Sequence, residues 1–115
     1  MGKEGNEIKF SQKWKNAFDE RDRHLLEARI DDGFEFVRHQ GRGSVFKKEM
    51  LDIWSSEGPR PERRDYRILY ENEDILVTHQ FMTFTNGEKE SVMVVMHLKD
   101  GKLVRMETGA TPMTR

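Results

Sequence analysis

His79 and His97 stand in two stretches, 75–84 and 92–98, whose apolar residues recur at the short spacing of β-strands. An imidazole titrates near neutral pH, so either could work as acid or base in an isomerase, cyclase or dehydratase reaction. They are the catalytic candidates of this chain, although partly buried, hydrogen-bonded histidines are the commoner case. Two imidazoles without a third ligand make no metal site. The absence of cysteine also removes thiolate ligands and cysteine nucleophiles. Asp31, Asp32, Glu35 and His39 form a second group able to bind a hard cation or move a proton, but Asp31-Asp32-Gly33 reads more naturally as a helix-ending turn.

Arg60, Arg63, Arg64 and Arg67, with Tyr66 and Tyr70 between them, could meet phosphate or stacked RNA bases. Glu62 and Asp65 interrupt that run, and a charged edge strand protected from aggregation explains it better. No serine or threonine has a histidine and a carboxylate at triad spacing, and no glycine-rich phosphate loop is present. These residues therefore call for no cofactor, no metal and no nucleic acid.

The elements that carry these residues change character at Pro61. Before it, Trp14, Ala17 and Phe18 form a helical stripe capped by Ser11, and Asp22 caps a second short helix with Leu25, Leu26 and Ile30. Phe34 to His39 alternates as a strand. Ser44 then caps a third helix over Val45 to Glu57, with Phe46, Met50, Ile53 and Trp54 at helical spacing, and Gly58-Pro59-Arg60-Pro61 stops it. Beyond Pro61, Arg64 to Glu71 and Ile75 to Phe84 are β-branched and aromatic, and Asn86-Gly87 and Asp100-Gly101 mark hairpins. The expectation is an α+β fold, with three helical segments on one face of a strongly bent antiparallel sheet.

The 115 residues suit one domain, 1–115, with a frayed polar start over 1–8. The 20 basic and 21 acidic residues nearly cancel, so no global field gathers nucleic acid or anionic lipid. The start lacks the apolar stretch of a signal peptide and no apolar run spans a bilayer, which makes the cytoplasm the expected location.

Face assignment follows from the turns. A two-residue turn at Asp100-Gly101 places His97, Val95, Met93 and Met106 on one face, and a three-residue turn ending at Gly87 adds Val77, His79 and Phe81. With Trp14 and Phe18 from the first helix, these nine residues are the expected pocket lining. The opposite face carries Val92, Val94, Met96, Leu98 and Leu103, an apolar surface expected to join two copies in a homodimer.

The order of elements, with Phe34-Glu35-Phe36-Val37-Arg38-His39-Gln40-Gly41, Lys48-Glu49-Met50-Leu51 and Lys99-Asp100-Gly101-Lys102-Leu103-Val104-Arg105, resembles the nuclear transport factor 2-like superfamily in its SnoaL-like and ketosteroid isomerase-like branches. The resemblance covers nearly the whole chain. It implies a cone-shaped sheet, a pocket between sheet and helices, and frequent dimerisation across the outer face. The tyrosine, base and protonated aspartic acid of the ketosteroid isomerases fall near Trp14, Val37 and Val95, so that proton transfer has no machinery here. The expected function is a dimeric protein that binds a small, mostly hydrophobic molecule, the alternative being a SnoaL-like enzyme that uses His79 or His97.

Overall fold

Helix α1 (Phe10–Glu20) buries Trp14 and Ala17, the stripe expected from the sequence. Its cap is not Ser11. Lys9 holds the N-cap position without a side-chain bond, and Ser11 lies inside the helix. The backbone N–H and hydroxyl of Ser11 donate to the Glu71 carboxylate at 3.1 and 2.8 Å, so an acid brought in by the sheet satisfies the helix N-terminus. The far end turns through Arg21 in the left-handed region, φ 55°. The Arg21 guanidinium holds the Ser56 and Gly58 carbonyls, which ties this turn to the loop after α3.

Helix α2 (Arg23–Arg29) is capped by Asp22, whose carboxylate accepts from the backbone N–H groups of His24 and Leu25. Strand β1 (Ile30–Arg38) then begins earlier than expected. Asp31-Asp32-Gly33 does not end the helix but lies inside the strand, where the register slips between Ile30 and Glu35 and the Asp31 carboxylate accepts from the Gly33 N–H at 2.8 Å. Ser44 is not a cap either. Its hydroxyl donates to the Glu35 carboxylate, and β2 (Ser44–Phe46) pairs antiparallel with β1 before α3 (Lys47–Trp54) starts.

The structure is a computed structural model that describes residues 9–39 and 43–113. The start expected to fray, 1–8, lies outside the described residues. Strands β3 (Glu62–Glu71), β4 (Ile75–Thr83), β5 (Lys89–Lys99) and β6 (Lys102–Met113) form the meander, and the sheet order is β2-β1-β6-β5-β4-β3. The three helices and the curved, open sheet match the expected α+β class. One feature of the sheet departs from expectation: it is mixed, because β1 and β6 run parallel. Every other neighbouring pair is antiparallel. Hairpin turns enforce antiparallel pairing, whereas β1 reaches β6 only through α3 and the whole meander.

Asp100 and Gly101 are both left-handed, φ 53° and 78°, as a two-residue hairpin turn requires. The preceding hairpin has the three-residue form, with Phe84 N–H on Glu88 O at 2.8 Å and Gly87 at φ 93°. The core joins Trp14, Leu26, Phe34, Met50, Leu51 and Trp54 to Leu76, Val92, Val94, Met96, Leu98, Leu103 and Met106. The helices thus cover the sheet face that was expected to be the dimer surface.

Candidate functional site

The register explains this reversal. Lys99 pairs with Lys102 and Leu98 with Leu103, but a bulge then slips β6 by one residue, so that His97 faces Arg105, Met96 faces Met106 and Val95 faces Glu107. Straight pairing would have put Met106 beside Val95. The bulge instead moves Arg105 and Glu107 onto the face of His97 and Val95, and a face with that ion pair is the poorer one to bury under helices. Val92, Val94, Met96, Leu98 and Leu103 therefore turn inward, each no more than 7% exposed.

Between this face and the helices lies a cavity of about 880 Å³, within the range of about 300–1,000 Å³ common for small-molecule sites. Its wall is built in cross-strand rows. Met96 and Met106 form the innermost; Thr78, Val94 and Thr108 the next; Gln80, Val92 and Ala110 the third; Arg63, Met82 and Glu90 the outermost. Opposite them stand Trp14, Phe18 and Trp54, the two indoles edge to face at 5.2 Å. A bulge in edge strand β3, where Asp65 takes φ 57°, sets both Arg63 and Tyr66 on the cavity side.

Two of the polar side chains in these walls are buried, Thr78 at 4% and Gln80 at 8% exposure. Gln80 Oε1 is the one buried side-chain polar atom without a hydrogen-bond partner among the described residues. Turning the amide over would leave an N–H unpaired there instead, so one polar end of this cavity-lining side chain stays unmatched within the wall. At the mouth, Arg60 donates to the carbonyls of Phe18 and Trp54 at 2.7 and 2.5 Å, occupying the C-terminal ends of α1 and α3. Its guanidinium lies 4.1 Å from the Phe18 ring centroid and that of Arg63 lies 4.2 Å from the same ring. Desolvation, then the charge of Arg60, lowers the Arg63 pKa from its ordinary value. Desolvation, then Glu71, raises that of Tyr66.

Of the nine expected lining residues, Trp14, Phe18 and Met106 line this cavity. Val77, His79, Phe81, Met93, Val95 and His97 share a face as expected, but it is the opposite, outer one. There His79 accepts from Arg67 Nε at Nδ1, 3.4 Å, and so donates from Nε2 to Ser91 Oγ at 2.7 Å. That tautomer cannot take a proton from Ser91, and the pair is no nucleophile and base. His97 does meet a carboxylate, but outside the cavity: Glu107 bridges His97 Nε2 at 2.9 Å and His39 Nε2 at 3.0 Å. Bonds from His39, His97 and Arg105 hold the Glu107 carboxyl at about 2. Glu35 joins this network through Arg105 at 3.4 Å, while Asp32 pairs with Lys47 at 2.9 Å and is drawn below its usual range by that bond. The acidic group 31–39 is thus divided among separate contacts.

The fold of this site recurs in solved structures. A protein of unknown function from Burkholderia xenovorans LB400, described as NTF-2 like, superposes with a TM-score of 0.68 over 92% of this chain and 85% of its own, at 17% identity. An NTF2-like protein of unknown function from Cytophaga hutchinsonii ATCC 33406 does so with 0.64, over 89% and 87%, at 10% identity. The chain has the nuclear transport factor 2-like fold. An LEH-like epoxide hydrolase from M. tuberculosis shares this NTF2-like architecture, with a TM-score of 0.66, 12% identity, and coverage of 89% of this chain and 80% of its own. No family model and no curated protein matches the sequence. Among the described residues no helix is long and apolar enough to cross a membrane.

Sequence reasoning missed Gln80 and Thr78 as site residues, and read Arg63 as an edge-strand charge rather than a cavity residue. The signal was present: polar Thr78 and Gln80 alternate with Leu76 and Met82 in a strand otherwise apolar at those positions. Their polarity argued for an outward face, whereas in a cavity it marks the few groups that orient a ligand.

Proposed function

We propose that this NTF2-like chain binds one small, mostly apolar molecule in the cavity between sheet and helices. The observation that carries this reading is the cavity of about 880 Å³ walled by valine, methionine and tryptophan, with Gln80, 8% exposed and unpaired at one amide end, set in that wall. A largely apolar wall with few polar groups suits a small apolar molecule that carries a hydrogen-bonding group. No histidine lines the cavity, and its two carboxylates, Asp19 and Glu90, both stand toward the mouth. The inner rows thus hold no group suited to move a proton near neutral pH, which favours binding over catalysis by His79 or His97.

Homodimerisation belongs to the same reading, through the outer face that carries Val77, Phe81, Met93 and Val95. It is supported by Met93, 43% exposed on that face between His79 and Gly109, with Val95 beside it along the strand.

Both tryptophans of the chain line the cavity, so a ligand there should change their emission. The test uses phenylnaphthylamine, a neutral fluorescent apolar probe, with energy transfer from tryptophan as readout. Saturable binding that Val94→Phe abolishes, in a variant that still folds, is the expected result. No saturable transfer in the parent protein, or transfer unaffected by filling the cavity, would overturn the reading.

A further inference from the structure

Arg63 stands exposed at the cavity mouth, its guanidinium without a directly bonded partner among the described residues. Its neighbours are engaged: Arg60 by two helix-end carbonyls, Arg64 by Asp65, and Asp19 by Lys15. Glu90 shares the Arg63 row but sits two strands away, beyond Met82, a separation of about 10 Å that direct pairing does not bridge. The guanidinium also lies over the Phe18 ring, 4.2 Å from its centroid. An exposed cation held over an aromatic ring at the mouth of an apolar cavity is an arrangement that recognises an anionic oxygen group.

We propose that the ligand is a hydrophobic organic acid, its apolar body lying against Val92, Val94 and Trp54 and its single anionic group held by Arg63. This rests on the reading that the cavity binds a small molecule. The ligand's dimensions follow from the rows. Gln80 lies one row inward from Arg63, an offset of about 7 Å along the strands. Gln80 also lies one strand over, about 5 Å across, so the molecule carries a hydrogen-bonding group roughly 8–9 Å from its anionic end. Desolvation and the charge of Arg60 disfavour the Arg63 cation, the Asp19 carboxylate offsets part of this, and an anionic ligand group would add to that offset.

The experiment compares two probes that share an apolar body and differ in charge: anilinonaphthalene sulfonate and neutral phenylnaphthylamine. Each is titrated into the parent protein, Arg63→Gln and Arg63→Lys, with tryptophan energy transfer as readout and thermal unfolding to confirm the fold. The sulfonate should bind the parent more tightly than the neutral probe, and Arg63→Gln should weaken only the sulfonate, by roughly ten- to a hundredfold. Arg63→Lys should restore part of that loss, and added salt should weaken the sulfonate alone. Equal sulfonate affinity in parent and Arg63→Gln, with the neutral probe bound in both, would overturn the inference and leave the cavity reading standing. Failure of both probes to bind the parent would overturn that reading as well.

Discussion

Gln80→Met should make the empty protein more stable and a worse binder. Methionine keeps the length and flexibility of glutamine while removing the amide, and the site is 8% exposed with one polar end unpaired. A buried unpaired polar group costs about 1–3 kcal/mol, and burial of a thioether adds no new unmet demand, so the gain should be about 1–2 kcal/mol. For a chain of 115 residues this raises the Tm by roughly 4–8 °C. Calorimetry and urea unfolding would measure it. Phenylnaphthylamine carries one N–H, and losing its acceptor should weaken binding about fivefold, near 1 kcal/mol. Stability and affinity thus move in opposite directions. An unchanged or lowered Tm would mean that the amide is satisfied in the empty protein, and the argument from its unpaired end would fail.

Three further outcomes are expected. Glu107 is held at about 2 against 4.5 by His39, His97 and Arg105. Its contribution should be complete above pH 4.5 and vanish as pH falls through about 2. Solvent screening limits it to about 1 kcal/mol, so urea midpoints of the parent and Glu107→Gln should differ near pH 6 and converge at acid pH; a gap that persists unchanged at low pH would contradict this. Phe34→Ala removes a side chain with 0% exposure that packs on Trp54 at 6.2 Å, and urea denaturation should show a loss of about 3–5 kcal/mol. Sedimentation of the parent protein should report twice the chain mass, and Met93→Glu should shift it to the monomer while leaving the fold intact; a parent that stays monomeric at high concentration would refute the outer-face dimer.

Periodicity along the chain determined the element types, because a helix stripe and an alternating strand are local patterns that need no knowledge of partners. Trp14, Ala17 and Phe18 marked α1, Asp22 its successor's cap, and the two glycine turns the hairpins, down to the three-residue loop at Gly87. Local patterns also grouped Val77, His79, Phe81, Met93 and Val95 correctly on one face. They could not say which face the helices would cover. That depended on a single bulge between β5 and β6, which carried Arg105 and Glu107 to the His97 side and left Met96 and Met106 together inside. A strand has period two, so a slip of one residue exchanges inside for outside, and nothing in a lone strand records the slip. The same long-range assembly turned Ser11 from a cap into a partner of Glu71, 60 residues away. It also set β1 parallel to β6 and brought Arg63 and Gln80 to one cavity. The residues that could do chemistry were visible in the chain; their meeting was decided only where distant strands paired.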